Sequence, residues 1–237
     1  MRKRTLSNEG FHLYLNRTAS RKPANWARRL VYNLFHSEYD DRLEDVVYKC
    51  RESTKAVLAE FDDADIRERL DAGISHTIRL VLTRDNKKVK KRHVQRSFRF
   101  FMDVMRVSYK AEDHQTAHML WLSLTHPAIH NLQLTMPKWG DALLCEIEQC
   151  YGMPLYEKHI HYWRSVRTDT PLPSLIAFHT FIARREFAGN GEEAKEAREM
   201  MDIFKYLEYC PDAVLPIYRQ QPMSKKEMTR LSNSICK

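Results

Sequence analysis

The stretch PLPSLIAFHTFIARREFAGNGEEAKEAREMMDIFKYL, Pro171–Leu207, decides the fold. Thr170, Pro171 and Pro173 mark its start, and Leu175, Phe178, Phe181 and Ile182 follow at helical spacing. Gly189-Asn190-Gly191 interrupts the pattern before Glu192 restarts it. Beyond the break, Ala194, Ala197, Met200, Met201, Phe204 and Leu207 recur at steps of three and four, the period of one buried helical face. Two helices joined by a glycine-rich turn make an αα-hairpin. Its tip, Ala183-Arg184-Arg185-Glu186-Phe187, sets an aromatic beside three charges. That is either a contact surface or the end of a core helix.

The rest of the chain reads as helices of the same kind. Trp26, Leu30, Val31, Leu34 and Phe35 fit one, and Leu43, Val46, Val47, Cys50, Val57, Leu58 and Phe61 fit a longer one led by Asp40-Asp41. Asp62-Asp63 break that run. Ile66, Leu70, Ile74, Ile78, Val81 and Leu82 form the next stripe, with Gly73 in its interior. Glycine there costs about 1 kcal/mol against alanine, which points to a close packing contact. A turn over Thr83 to Asn86 leads to Val94, Phe98, Phe101 and Met105 on one face. Asp113 suits an N-cap for a helix carrying Ala117, Leu120, Trp121 and Leu124, and Pro127 suits the first turn of a shorter helix through Ile129, Leu132 and Leu134 that Pro137 ends. Leu143, Leu144, Ile147 and Tyr151 make one more helix, closed by Gly152 and Pro154, and an aromatic-rich segment, Tyr156 to Val166, leads into the hairpin. Cys210-Pro211 stops its second arm. The expected organisation is a partly ordered segment 1–25, in which Phe11, Leu13, Tyr14 and Leu15 can dock on the body, one helical domain 26–220 and a loosely packed tail 221–237.

With 237 residues, only 6 glycines and 9 prolines, the chain can bury a large core and has few helix breakers, so the expected class is all-α. A balance of 39 Lys+Arg against 31 Asp+Glu, formally +8, favours acidic partners without choosing among nucleic acid, protein and membrane. No run of 18 apolar residues occurs, and Met1-Arg2-Lys3-Arg4 is not followed by an apolar stretch, so neither a spanning helix nor a secretory signal is expected and a cytoplasmic location is. Cys50, Cys145, Cys150, Cys210 and Cys236 show no CxxC spacing and read as reduced thiols.

Three constellations invite chemistry. His114 and His118, His126 and His130, and His159 and His161 have spacings that can seat a metal, but no HExxH and no third ligand accompany them, so they read as solvated or capping histidines and no metal is expected. The run Lys87-Lys88-Val89-Lys90-Lys91-Arg92-His93 can hold phosphate of lipid or nucleic acid, yet it is short, follows a turn and lacks a nucleic-acid recognition motif, so it reads first as a solvated helical face. GxxxxGK[ST], GxSxG and GxGxxG are all missing, and Glu146 and Glu148 beside Cys145 and Cys150 raise a thiol pKa, so no nucleophile and no cofactor is nominated.

The order of several segments resembles the catalytic domain of Ras guanine-nucleotide exchange factors. Ile74-Ser75-His76-Thr77-Ile78 resembles the family's N-h-S-x-W-V helix, with Gly73 where asparagine is usual. Ala111-Glu112-Asp113-His114-Gln115-Thr116-Ala117 matches L-N-N-F-N-S-L without gaps, and Leu120, Leu124, Ile129, Leu132 and Thr135 continue that pattern. Tyr162-Trp163-Arg164 resembles N-Y-x-x-Y-R, Pro171-Leu172-Pro173-Ser174-Leu175 resembles P-C-I-P-F-L, and Gly189-Asn190 echoes E-E-G-N-P.

This resemblance, over residues 26–220, implies a multi-helix bundle with a protruding hairpin that wedges between the switch regions of a Ras-superfamily small GTPase, a factor that promotes GDP release and makes no bond. Family members carry a leucine and, four residues on, a glutamate on the first hairpin helix; here those positions fall at Ala183 and Phe187, or at Arg184 and Ala188 counted from the glycine. Glu186 and Phe187 are therefore the expected working pair, and Phe181, Ala183, Arg184, Arg185, Ala188, Asp113, His114 and Gln115 the expected GTPase contacts. Two other readings stand beside exchange: a GTPase-binding module without activity, and a helical protein binding anionic membrane or nucleic acid through Lys87–His93. A monomer is expected, acting in a host cytosol if the chain is a secreted bacterial effector.

Overall fold

The computed structural model describes residues 43–60, 65–84, 87–152, 156–166, 171–219 and 222–235. The expected helix at Trp26–Phe35, the docking of Phe11–Leu15, the breaks at Asp62-Asp63 and Pro154, and Cys236 lie outside them. Ten α-helices make up the described chain: α1 Leu43–Ala59, α2 Ile66–Leu82, α3 Lys91–Lys110, α4 His114–Leu124, α5 Pro127–His130, α6 Gly140–Tyr151, α7 Tyr156–Ser165, α8 Leu175–Phe187, α9 Gly191–Asp202 and α10 Lys225–Ile235. The expected all-α class holds. A two-residue antiparallel pair, β1 Thr83–Arg84 and β2 Lys87–Lys88, joins α2 to α3.

Helix α4 is the hub. Eight of its eleven residues are buried, and it packs against α1, α2, α3, α5, α6 and α8. A helix packed on nearly every side belongs inside a bundle, and α4 supplies the shared wall of the core, its buried Gln115, Thr116, His118 and Ser123 included. Its start is fixed as the sequence requires: the Asp113 carboxylate accepts from Thr116 N–H at 3.0 Å, an N-cap. The stripes on α3 and α2 are likewise buried, Val94, Phe98, Phe101 and Met105 on one and Leu70, Ile78, Val81 and Leu82 on the other.

Three expectations are corrected. The second hairpin arm ends at Asp202 rather than Leu207, because bonds such as Phe204 N–H to the Met201 carbonyl tighten the chain and turn the Phe204 ring onto Trp163 at 5.7 Å. The C-terminal segment is not loosely packed. Met223, Met228, Ser232 and Ile235 are buried, α10 lies against α2 and α5, and Met223 N–H donates to Ser75 Oγ at 3.0 Å. The short helix expected through Leu134 stops at His130, with Leu132 still buried.

Candidate functional site: the hairpin and its root

The α8–α9 hairpin closes through a Schellman turn. Asn190 N–H donates to the Arg185 carbonyl at 2.8 Å and Gly189 N–H to the Glu186 carbonyl at 3.1 Å. This turn needs a left-handed residue, and Gly189 supplies it at φ +78°. At the other end Ser174 caps α8, accepting from Ala177 N–H at 3.2 Å. Leu172 is stitched to the α4 start, receiving His114 N–H at 2.9 Å and donating to the Glu112 carbonyl at 2.8 Å. Arg185 clasps three helices together, bonding Glu157 of α7 at 2.7 Å and Glu193 of α9 at 2.9 Å while its guanidinium lies over Phe181. The hairpin is thus pinned at its base and along one flank, and residues 186–192 stand in solvent.

The expected contact residues divide into two groups. Phe187 is 96% exposed at the tip, and Ala183, Arg184, Glu186 and Ala188 are exposed with it. Phe181, Asp113 and Gln115 are buried, which corrects their assignment to a docking surface, and His114 is half-buried. The reason is that each serves the interior. Asp113 caps α4 and receives Thr54 Oγ1–H at 3.1 Å, and Gln115 donates to the Tyr218 hydroxyl at 3.4 Å. Glu186 does not stand alone beside Phe187; it pairs with Arg198 across the hairpin.

Sequence reasoning missed the groove that the tip overhangs. Of about 390 Å³, it runs between α2 and α8, with Leu70, Ile74, Ile176, Ala183 and Phe187 as apolar wall and Arg67, Asp71, His179 and Arg184 as polar rim. Desolvation, with Arg67 and Arg198 nearby, holds the His179 pKa below its ordinary value. Leu70 and Ile74 belong to the stripe recognised in the sequence, but only the packing of α8 alongside α2 turns the edge of that stripe into a groove.

The histidines expected to be solvated are instead the packing of the hairpin root. His118 and His159 are buried, and with His114 they surround Tyr151. His118 Nδ1 lies 2.7 Å from Ser174 Oγ; that hydroxyl receives Ala177 N–H and can donate to the ring. His159 Nε2 accepts from Trp163 Nε1–H at 3.0 Å and Ser174 N–H at 3.4 Å, and His114 bonds the Tyr151 hydroxyl. Each role uses a neutral imidazole. Burial accordingly pulls the pKa of His114 down to about 4 and of His118 to about 3, and lowers that of His159 well below the usual range. His126, in contrast, caps α5 through Ala128 N–H as expected, and no group of His, Cys, Asp and Glu among the described residues is arranged to hold a metal ion.

No family model matches this chain, and no curated protein or solved structure matches it. Among the described residues no helix is long and apolar enough to cross a membrane.

Proposed function

We propose that this chain is a guanine-nucleotide exchange factor for a Ras-superfamily small GTPase, which it opens by inserting the α8–α9 hairpin at the switch regions. The observation that carries the reading is Phe187, an aromatic 96% exposed at the end of a braced two-helix projection and above an apolar groove. Phe187 adds to the apolar wall of that groove, and a contiguous exposed apolar surface rimmed by polar residues is the kind that marks a partner site. The resemblance of the α4 start and the hairpin root to the exchange-factor segments, in matching order, supports the same reading.

The mechanism is differential binding. A hairpin that fits the nucleotide-free GTPase better than the loaded one shifts the equilibrium toward release, and the coupling is reciprocal. Phe187 supplies apolar area worth about 2 kcal/mol on burial, or roughly thirtyfold in affinity. Rigidity matters equally, because a wedge that bends transmits no force; the Arg185 clasp and the Ser174 cap supply it. Glu186 has to leave Arg198 before it can take the part of the family's glutamate.

That ion pair, with Arg184 exposed on the groove rim, favours a second reading, a module that binds a GTPase without emptying it. Release of fluorescent GDP from a panel of Ras-, Rap-, Ral- and Rab-type GTPases separates the two. Phe187→Ala with Glu186→Ala is expected to abolish release at an unchanged melting temperature. Binding without release in the native chain would establish the module instead, and no binding to any GTPase in any nucleotide state would end both readings.

A further inference from the structure

We propose that the exposed face at the start of α3, together with the adjoining end of α10, docks on an anionic membrane surface. From Lys87 to Met102 the chain carries seven Lys and Arg and no Asp or Glu. Arg92, Arg96 and Arg99 follow at steps of four and three, so they share one face of α3 over about 10 Å, and all three are exposed along with Lys90 and Lys91. The opposite face is locked in the core by Val94, Phe98 and Met105, so the cations cannot roll inward.

These cations lack acids. Among the described residues none of the five has an ion-pair partner, whereas Arg106, two turns further along α3, is held by Asp103 at 2.8 Å. Helix α10 reaches β2 and brings exposed Lys225, Lys226 and Arg230 to the same end of the bundle. Asp103 on α3 and Glu227 on α10 are the only acids of those two helices, while α9 holds Glu192, Glu193, Glu196, Glu199 and Asp202, and the hairpin packs chiefly on α7, α4 and α2. The molecule is therefore polarised, with a basic end that shares no residue with the groove.

Apolar side chains beside this stripe point to a lipid surface. Gln95 clamps the segment after α5 to α3, donating to the Thr135 carbonyl at 2.8 Å and accepting from Thr135 N–H at 2.7 Å. The clamp leaves Leu134 and Met136 half-buried and Lys138 exposed next to the cations, the mixture that suits a headgroup region. Nucleic-acid single strands want open aromatic faces. Here the Trp139 ring is covered by the Arg106 guanidinium at 4.2 Å, and among the described residues the exposed aromatics are Tyr162, Phe187, Tyr206 and Tyr209, none of them on α3, α10 or the clamped segment.

The test needs no GTPase, so it stands or falls apart from the exchange reading. The full chain is sedimented with vesicles of phosphatidylcholine alone or with about one third phosphatidylserine, across a salt series. Binding is expected only to the anionic vesicles, to weaken with salt, and to persist when soluble glycerophosphoserine is added. Arg92→Gln/Arg96→Gln/Arg99→Gln is expected to lower the partition coefficient about a hundredfold with an unchanged melting curve; Lys90→Gln/Lys91→Gln, at the start of the helix, repeats the test outside its core-packed body. Native-level binding by both variants, while Arg21→Gln/Arg28→Gln/Arg29→Gln loses it, would transfer the surface to residues 1–42 and overturn the proposal. Equal binding to phosphatidylcholine, or binding to duplex DNA without binding to anionic vesicles, would overturn it too.

Discussion

Gly73 sits where α2 meets Met119 of α4 and Tyr218 of the Pro216–Arg219 turn. A glycine inside α2 signals a close contact, and an added Cβ would lie 2.9 Å from Met119 Sδ and 3.0 Å from the Tyr218 ring. Helix propensity favours alanine by about 1 kcal/mol, while forcing a methyl into a packed site costs about 1 to 3 kcal/mol. Met119 can swing aside, but Tyr218 is buried and held by Gln115. Gly73→Ala is therefore expected to lose about 1 kcal/mol in urea denaturation, and a stabilised variant would mean that the tyrosine yields. The glycine was legible in the sequence. Its partner was not, because Tyr218 comes from a 3₁₀ turn, Pro216–Arg219, far along the chain. Asp113 carries the same lesson: its capping role follows from residue type and position, but the polar carboxylate gave no sign that it would be walled in by α1 and receive Thr54.

At the scale of elements, the hairpin root joins α4, α6, α7 and α8 through three neutral histidines. An unfolded histidine takes up a proton near pH 6.5, whereas these take one up only well below it. The unfolded chain thus binds more protons in that window. Stability is full above about pH 6.5 and falls as the pH drops toward 4, by about 1.4 kcal/mol per pH unit for each histidine still neutral in the fold. Denaturant titrations at pH 7.5, 6 and 5 are expected to show this slope. His118→Gln should be less stable at pH 7.5 and lose less on acidification; a slope equal to the native one would remove His118 from the effect. The i, i+4 spacing of His114 and His118 was visible from the start, and it places both on one helical face. Whether that face met water, a metal or aromatic rings depended on Tyr151, Ser174 and Trp163, which arrive from three other segments.

At the scale of the molecule, α10 closes the bundle over α2 and α5 with Met223, Met228 and Ile235 buried. Removing residues 222–237 exposes that apolar surface and leaves Ser75 without the Met223 N–H it accepts. Such a truncation is expected to lower the melting temperature by several degrees, at about 4 °C or less per kcal/mol for a domain of this size; an unchanged value would mean that the helix adds no stability. Sparse hydrophobic spacing among Lys225, Lys226 and Arg230 made the segment look like a tail, since an amphipathic helix this polar declares itself only against the surface it covers.

The sequence by itself determined the helical class, the hairpin with its glycine turn, the Asp113 cap and the Pro127 first turn, and the stripes that became the core. All of these rest on local rules, the 3.6-residue period, capping chemistry and the left-handed freedom of Gly189. Tertiary structure alone decided which polar residues face inward, that the tip overhangs a groove, and that the basic charge collects at one end. Those properties belong to pairs of elements brought together from distant parts of the chain, and no spacing within one element encodes what its neighbour will place across from it.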